Sequence, residues 1–417
     1  MNFLYILLAL GVLLVLITVH EFGHYVSGKI LGFKINEFAI GFGPKLFKKV
    51  NKKTGEVFSV RLLPLGGFCA FEGEDEDNPH KDAFNNKPAW KRLIVLLSGV
   101  LFNFIFGIIT AAIFLMVNGC ALPCIADFSP NNPNNGILQK GDIVKEINGE
   151  SIEIYRSMNE LTSKIKKGEN ITLTVERDGK IIEVENVQKY LTEAFFFVAD
   201  SSKLENAIYD KGGVNPWDVE DFKAYIRSIA VNYDEETESY DKFTHNGIFY
   251  KADGSVYTDD ELIKLAGITL STPTDSIGFI YYSVQGEYGI WESLGKAWPF
   301  SFYICELILS ALGGIFTGST AINELGGTVT AISQIAEISK LGLSSFLLLL
   351  PMLSMNLALF NILPIPALDG ARCVFVIIEG IFRKPIPRKI ENIIHTVGLF
   401  ILLGLVVFLD VYHFFLA

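Results

Sequence analysis

Charged residues are scarce in this chain. They make up 19% of its 417 residues, against roughly 25% in ordinary soluble domains. Half of the residues are hydrophobic and the mean hydropathy is +0.36, which excludes disorder over most of the length. Excess positive charge is also lacking: 35 Lys+Arg against 46 Asp+Glu give a net charge of −11, so no nucleic-acid partner is expected. Cysteine is sparse, at 69, 120, 124, 305 and 373, in neither a disulfide framework nor a zinc ribbon. Cys120 and Cys124 are open to two readings, a pair or two free thiols. No Lys or Arg precedes Lys29, so the apolar start lacks the basic n-region of a cleaved signal peptide. No internal repeat is visible.

The apolar residues are concentrated in runs that approach or exceed the ~20 residues needed to cross a bilayer. Residues 3–19 are apolar apart from Thr18, and 93–117 are interrupted only by Ser98, Asn103 and Thr110. Further spans are read at 344–363 and 392–415. A candidate at 298–316 carries Glu306 and several small or polar residues. Lysines crowd 29–53, and Arg372, Arg383, Lys384, Arg388 and Lys389 separate the last two spans, so both segments read as cytoplasmic by the positive-inside rule. The acidic stretch 127–297 then lies outside, as do both termini. Parity holds only if 298–316 lies on or dips into the outer interface. Asn148-Gly149 and Asp178-Gly179 are hairpin dipeptides, and Ile171–Glu176 alternates as a half-buried strand.

His20-x-x-x-His24 puts two imidazoles on one face of a helix, one turn apart. That spacing allows both to bind one zinc ion, with Glu21 beside them to take a proton from the attacking water. Alone, the pattern is only suggestive, and a polar helix-packing cluster is the competing reading. Its place in an apolar helix adds weight, because ionisable side chains within a membrane are costly and mark function. A catalytic zinc usually has a third protein ligand. Asp369 is the acidic residue that follows the third span, in Asn361-Ile-Leu-Pro364-Ile-Pro366-Ala-Leu-Asp369-Gly370. The alternative for Asp369 is a helix-end cap. The two prolines open the helix, and the polar residues and broken helix after Asn356 suggest a wet cavity open to the cytoplasm.

An intramembrane HExxH followed by NxxPxPxLDG resembles the site-2 protease family of zinc metalloproteases, and a longer match is to its bacterial regulator of sigma-E protease type. Gly41-Phe-Gly-Pro44-Lys-Leu, Phe58–Gly67 and Gly141–Gly149 are similar to that group's segment after the first helix, its membrane-associated β-hairpin and a stretch of its PDZ domain. The resemblance covers nearly the whole chain except about 191–275. It implies Glu21 as base, His20, His24 and Asp369 as ligands of one Zn2+, and Asn361 as a contact to substrate backbone; Asn356 is assigned to substrate binding with it. It also implies transmembrane helical protein substrates, pre-cut by another protease, such as anti-sigma factors or signal-peptide remnants. There are departures: Ala371-Arg372 stands where the family has Gly-His, and Gly326-Gly-Thr-Val stands in place of a GPxxxA-like motif.

The expected fold class is an α-helical polytopic membrane protein of about four transmembrane helices, with a membrane-associated β-hairpin and an extracytoplasmic PDZ-like β-rich domain. The segments are a first span at 1–30, a cytoplasmic-side loop and hairpin at 31–92, a second span at 93–117 and the PDZ-like domain at 120–190. There follow an acidic insertion of uncertain fold at 191–297, an interfacial helix and linker at 298–343, a third span at 344–370, a basic segment at 371–391 and a fourth span at 392–417. The expected setting is the lipid bilayer of a bacterial plasma (inner) membrane. Two rival functions are a polytopic transporter, for which inverted repeats are missing, and a catalytically silent PDZ scaffold, against which the intact Glu21 speaks.

Overall fold

Backbone polar groups find no water in a bilayer core, so apolar runs of this length fold as helices. The computed structural model describes residues 3–74, 80–128, 132–166, 169–191, 275–318 and 327–415, with short paired strands between 196 and 270. The chain divides into two units, Met1–Gly119 with Glu287–Ala417, and Cys120–Gly286.

The first unit contains seven α-helices among the described residues: α1 (Phe3–Ile30), α2 (Ala89–Asn118), α3 (Ile290–Thr317), α4 (Thr328–Lys340), α5 (Leu343–Ile362), α6 (Asp369–Phe382) and α7 (Arg388–Phe415). All but α4 and α6 are long and apolar enough to cross a membrane, the four helices read as spans and one more. The additional one is α3, which covers the 298–316 segment. It begins at Ile290 and so reaches crossing length. It packs on α2, with Phe300 stacked on Phe114 and both Trp298 and Phe302 against Phe104. The third span ends earlier than 370, at Ile362, because Pro364 and Pro366 cannot extend the helix.

Between α1 and α2 run two long strands, β1 (Ile35–Val50) and β2 (Val57–Phe71). Their register is folded over. Lys45–Val50 pairs with Val57–Arg61, Val57–Val60 also lies beside Glu37–Ile40, and Glu37–Ile40 pairs with Gly67–Ala70. The result is a sheet of four segments with 67–71 on one edge. Gly41 and Gly66 make the bends, at φ +85° and +133°. A Cβ on Gly41 would lie 2.6 Å from the Leu63 carbonyl oxygen. The inner end packs into a cluster of Phe33, Phe38, Phe71, Phe84, Val95 and Leu96. Beyond the bends, Phe42, Leu46, Phe47, Leu62 and Leu63 are exposed.

The second unit is built on an antiparallel sheet whose main strands are β3 (Cys120–Phe128), β4 (Ile143–Ile147), β5 (Asn170–Arg177), β6 (Lys180–Gln188) and β7 (Phe279–Gly286), in the order β7-β3-β4-β5-β6. The alternation in β5 buries Ile171, Leu173 and Val175 on one face. Asn148-Gly149 and Asp178-Gly179 turn with φ positive at both residues, as two-residue hairpins require. β7 comes from the stretch assigned to the acidic insertion, yet it pairs with β3 along its length. The unit therefore extends past 190 to Gly286. Residues 192–274 lie outside the described residues apart from the short strands. None of the five cysteines is in a disulfide. Cys120 and Cys124 sit four apart on one strand, about 13 Å, beyond disulfide reach.

Candidate active site

His20, Glu21 and His24 sit on α1, and both imidazoles are buried. The sequence packs α2 against them by omitting side chains. A Cβ on Gly23 would lie 2.4 Å from the Ser98 carbonyl oxygen, and one on Gly99 would lie 2.5 Å from His24 Nε2. Asp369 arrives from α5. The chain leaves that helix at Ile362, passes Pro364 and Pro366, takes a left-handed turn at Ala367 (φ +79°) and starts α6 at Asp369. The Ala367 N–H donates to His395 Nδ1 on α7, 3.0 Å away. Gly370 closes the turn, since a Cβ there would lie 2.2 Å from the Leu363 carbonyl oxygen.

These elements bring three ligand atoms together. Asp369 Oδ2 is 2.8 Å from His20 Nε2 and 3.1 Å from His24 Nε2, and the two Nε2 atoms are 3.2 Å apart. Among the described residues, this is the one group of three His, Cys, Asp or Glu side chains that could hold a metal ion. A tetrahedral zinc with donors at 2.0–2.1 Å would hold them about 3.3 Å apart, so an outward shift of a few tenths of an ångström accommodates the ion. The tautomer of His24 also fits. Its Nδ1 is 2.8 Å from the Val95 carbonyl oxygen, which accepts an N–H and leaves Nε2 with a lone pair.

Glu21 stands beside this group and is not one of the three. Its Oε2 accepts the Cys69 backbone N–H at 2.9 Å, so it faces the free edge of segment 67–71. Glu21, His24 and Asp369 line a cavity of about 660 Å³ with Phe68–Phe71 of β2 and Asn392, His395 and Thr396 of α7. Arg372 also lines it and pairs with Glu74, just past β2.

The expected site residues are not all gathered here. His20, Glu21, His24 and Asp369 are. Asn361 is half-buried in the last turn of α5, Asn356 is exposed, and neither lines the cavity. Sequence reasoning missed Gly99, the Val95 carbonyl and the Cys69 N–H. Gly99 was readable in principle as a gap in a bulky helix; the other two are backbone groups and leave no trace in residue type.

The model of peptidase family M50 matches residues 8–405. The chain is 28% identical to the regulator of sigma E protease of Haemophilus influenzae, over 94% of this chain and 95% of that one. It is 26% identical to a protein of Vibrio cholerae, over 98% of each, and 27% identical to one of Fusobacterium nucleatum, over 99% of this chain and 98% of that one; the names of both contain zinc metalloprotease. A family match over nearly the whole chain, on a helix bundle that converges two histidines and an aspartate, makes this protein a member of peptidase family M50, an intramembrane zinc metalloprotease.

Proposed function

We propose that the protein is an endopeptidase that cuts transmembrane segments of membrane proteins, with one zinc ion per chain held by His20, His24 and Asp369. The observation that carries this reading is the 2.8–3.2 Å convergence of those three side chains inside a bundle of apolar helices. When bound, zinc supplies a Lewis acid that polarises the scissile carbonyl and makes water a better nucleophile. Glu21 takes the proton of the attacking water and delivers it to the leaving nitrogen. A helical substrate must first be unwound, and its freed backbone groups need partners that lipid does not supply. The open edge of 67–71 offers them by strand addition, and the Cys69 N–H now bonded to Glu21 lies on that edge. Asn361 and Asn356 would contact the substrate backbone only if the substrate reaches α5 outside the cavity described above.

The proposed setting is a bacterial inner membrane, with both termini and the Cys120–Gly286 unit, read as PDZ-like, outside. α1 and α5 end on one side, since Ile30 and Ile362 line one apolar cavity with Ile94. α4 packs near the other end of α1, with Ile335 against Ala9. If α3 crossed fully, residues 318–342 would have to cross back. α4 spans about 20 Å at 1.5 Å per residue, short of a ~30 Å core. The short α4 supports a dip of α3 from outside, and the dip is deep, because Phe302, Cys305 and Leu309 of α3 line the same cavity as Ile30, Ile94 and Ile362. The outer unit would screen substrates by ectodomain size or read a freed C-terminus after a first protease has cut. Incubation with a membrane-anchored helical reporter tests the reading: cleavage should stop with a chelator and resume with zinc. Reporter turnover that ignores the chelator would refute it.

A further inference from the structure

Three polar residues interrupt the apolar run 93–117 of α2, and two of them have local work. The Thr110 hydroxyl donates back to the Phe106 carbonyl oxygen, and Ser98 Oγ to that of Val95. Asn103 is different. It is fully buried, its Nδ2 lies 3.4 Å from His20 Nδ1, and its Oδ1 is buried with no hydrogen-bond partner. Its backbone carbonyl accepts from Ser354 Oγ at 2.7 Å, which fixes this turn of α2 against α5.

His20 can ligate a metal through Nε2 only if its ring proton sits on Nδ1. The group facing Nδ1 must then accept a hydrogen bond. An amide carries an acceptor and a donor on nearly superimposable positions, and turning it over would give the orphaned Oδ1 its missing partner. We infer that Asn103 is a positioning residue for the metal centre: its Oδ1 accepts the Nδ1–H of His20, as the Val95 carbonyl does for His24, and so sets the ligating tautomer. The inference rests on the zinc reading above. It gives both histidines an outer partner on α2, one from backbone and one from a side chain. Such partners typically carry 10–100-fold in metal affinity.

The test is zinc affinity of the purified full chain in detergent, by competition with a chromophoric chelator. Asn103→Leu removes the acceptor and should weaken zinc binding by about 10–100-fold. Asn103→Asp keeps the shape and the acceptor, so it should bind zinc as tightly as wild type or more tightly. Wild-type affinity in Asn103→Leu would overturn the inference. So would a tenfold loss in Asn103→Asp, which would mean that the amide serves as a donor or only packs; this variant decides alone if Asn103→Leu does not fold. His20→Ala in the same assay keeps the two ideas apart. Undiminished zinc binding there would overturn the ligand assignment itself.

Discussion

At the residue scale, catalysis and metal binding should separate. Glu21→Gln keeps size and hydrogen bonding but cannot take a proton from water. Reporter cleavage should fall by about 10²–10⁴ while zinc content, read by atomic absorption, stays near wild type. Undiminished cleavage by zinc-loaded Glu21→Gln would remove Glu21 as the base. Gly99 gives a second residue-scale test. Its missing side chain is what lets α2 lie against the His pair, with a Cβ placed only 2.5 Å from His24 Nε2. Gly99→Ala should therefore lose most bound zinc, whereas Gly404→Ala on α7, where no atom lies within 4 Å of the added Cβ, should bind zinc normally.

At the element scale, the fold-over of β1 and β2 decides which edge faces the catalytic group. Glu37 holds it. Its carboxylate accepts from Ser59 at 2.6 Å, Arg61 at 2.8 Å and Lys45 at 2.9 Å, tying the central segment to residues on the two segments beyond it. Burial raises this carboxyl, but the bonds from Ser59, Lys45 and Arg61 outweigh it and hold it at about 2. A carboxyl lower in the folded than in the unfolded state stabilises above its unfolded value of 4.5, and that stabilisation is lost as pH falls toward 2. Proteolysis within 41–66 should rise across this window in wild type. In Glu37→Gln it should be faster at neutral pH and flatter with pH. Identical profiles in both proteins would show that Glu37 does not hold the hairpin.

At the scale of the whole molecule, topology and the outer unit are the testable features. A cysteine at Lys53 should be labelled only from inside the cell, and one at Asp234 only from outside. Labelling of both from the same side would break the proposed orientation. Because β7 completes the sheet begun by β3, a deletion ending at 190 would leave β7 without its neighbour. Excision of 120–286 with a short Gly/Ser linker is the cleaner cut. It should leave cleavage of a pre-trimmed helix intact and increase cleavage of substrates with bulky ectodomains. Loss of both activities in a folded protein would make the outer unit part of the catalytic machinery.

The sequence by itself determined the long helices, because runs of 17–25 apolar residues leave the backbone no other solution in lipid. It also determined the His20–His24 pair, whose one-turn spacing is fixed by the helix, and the break before Asp369, fixed by two prolines. The hairpin dipeptides Asn148-Gly149 and Asp178-Gly179 were equally plain. Only the tertiary structure decided that Asp369 meets both histidines, since that contact joins residues 345 and 349 positions apart. It alone revealed the partners of the site: a carbonyl at Val95, an amide at Asn103, an N–H at Cys69. Two of these are backbone groups, the same in every residue, so no pattern of side chains marks them; Asn103 stood out as a polar break in an apolar run, but the run does not say what it faces. The fold-over of β1 and β2 was hidden for a related reason. Period-2 alternation marks a strand but not its neighbour, and pairing was set by where Gly41 and Gly66 allow the chain to bend.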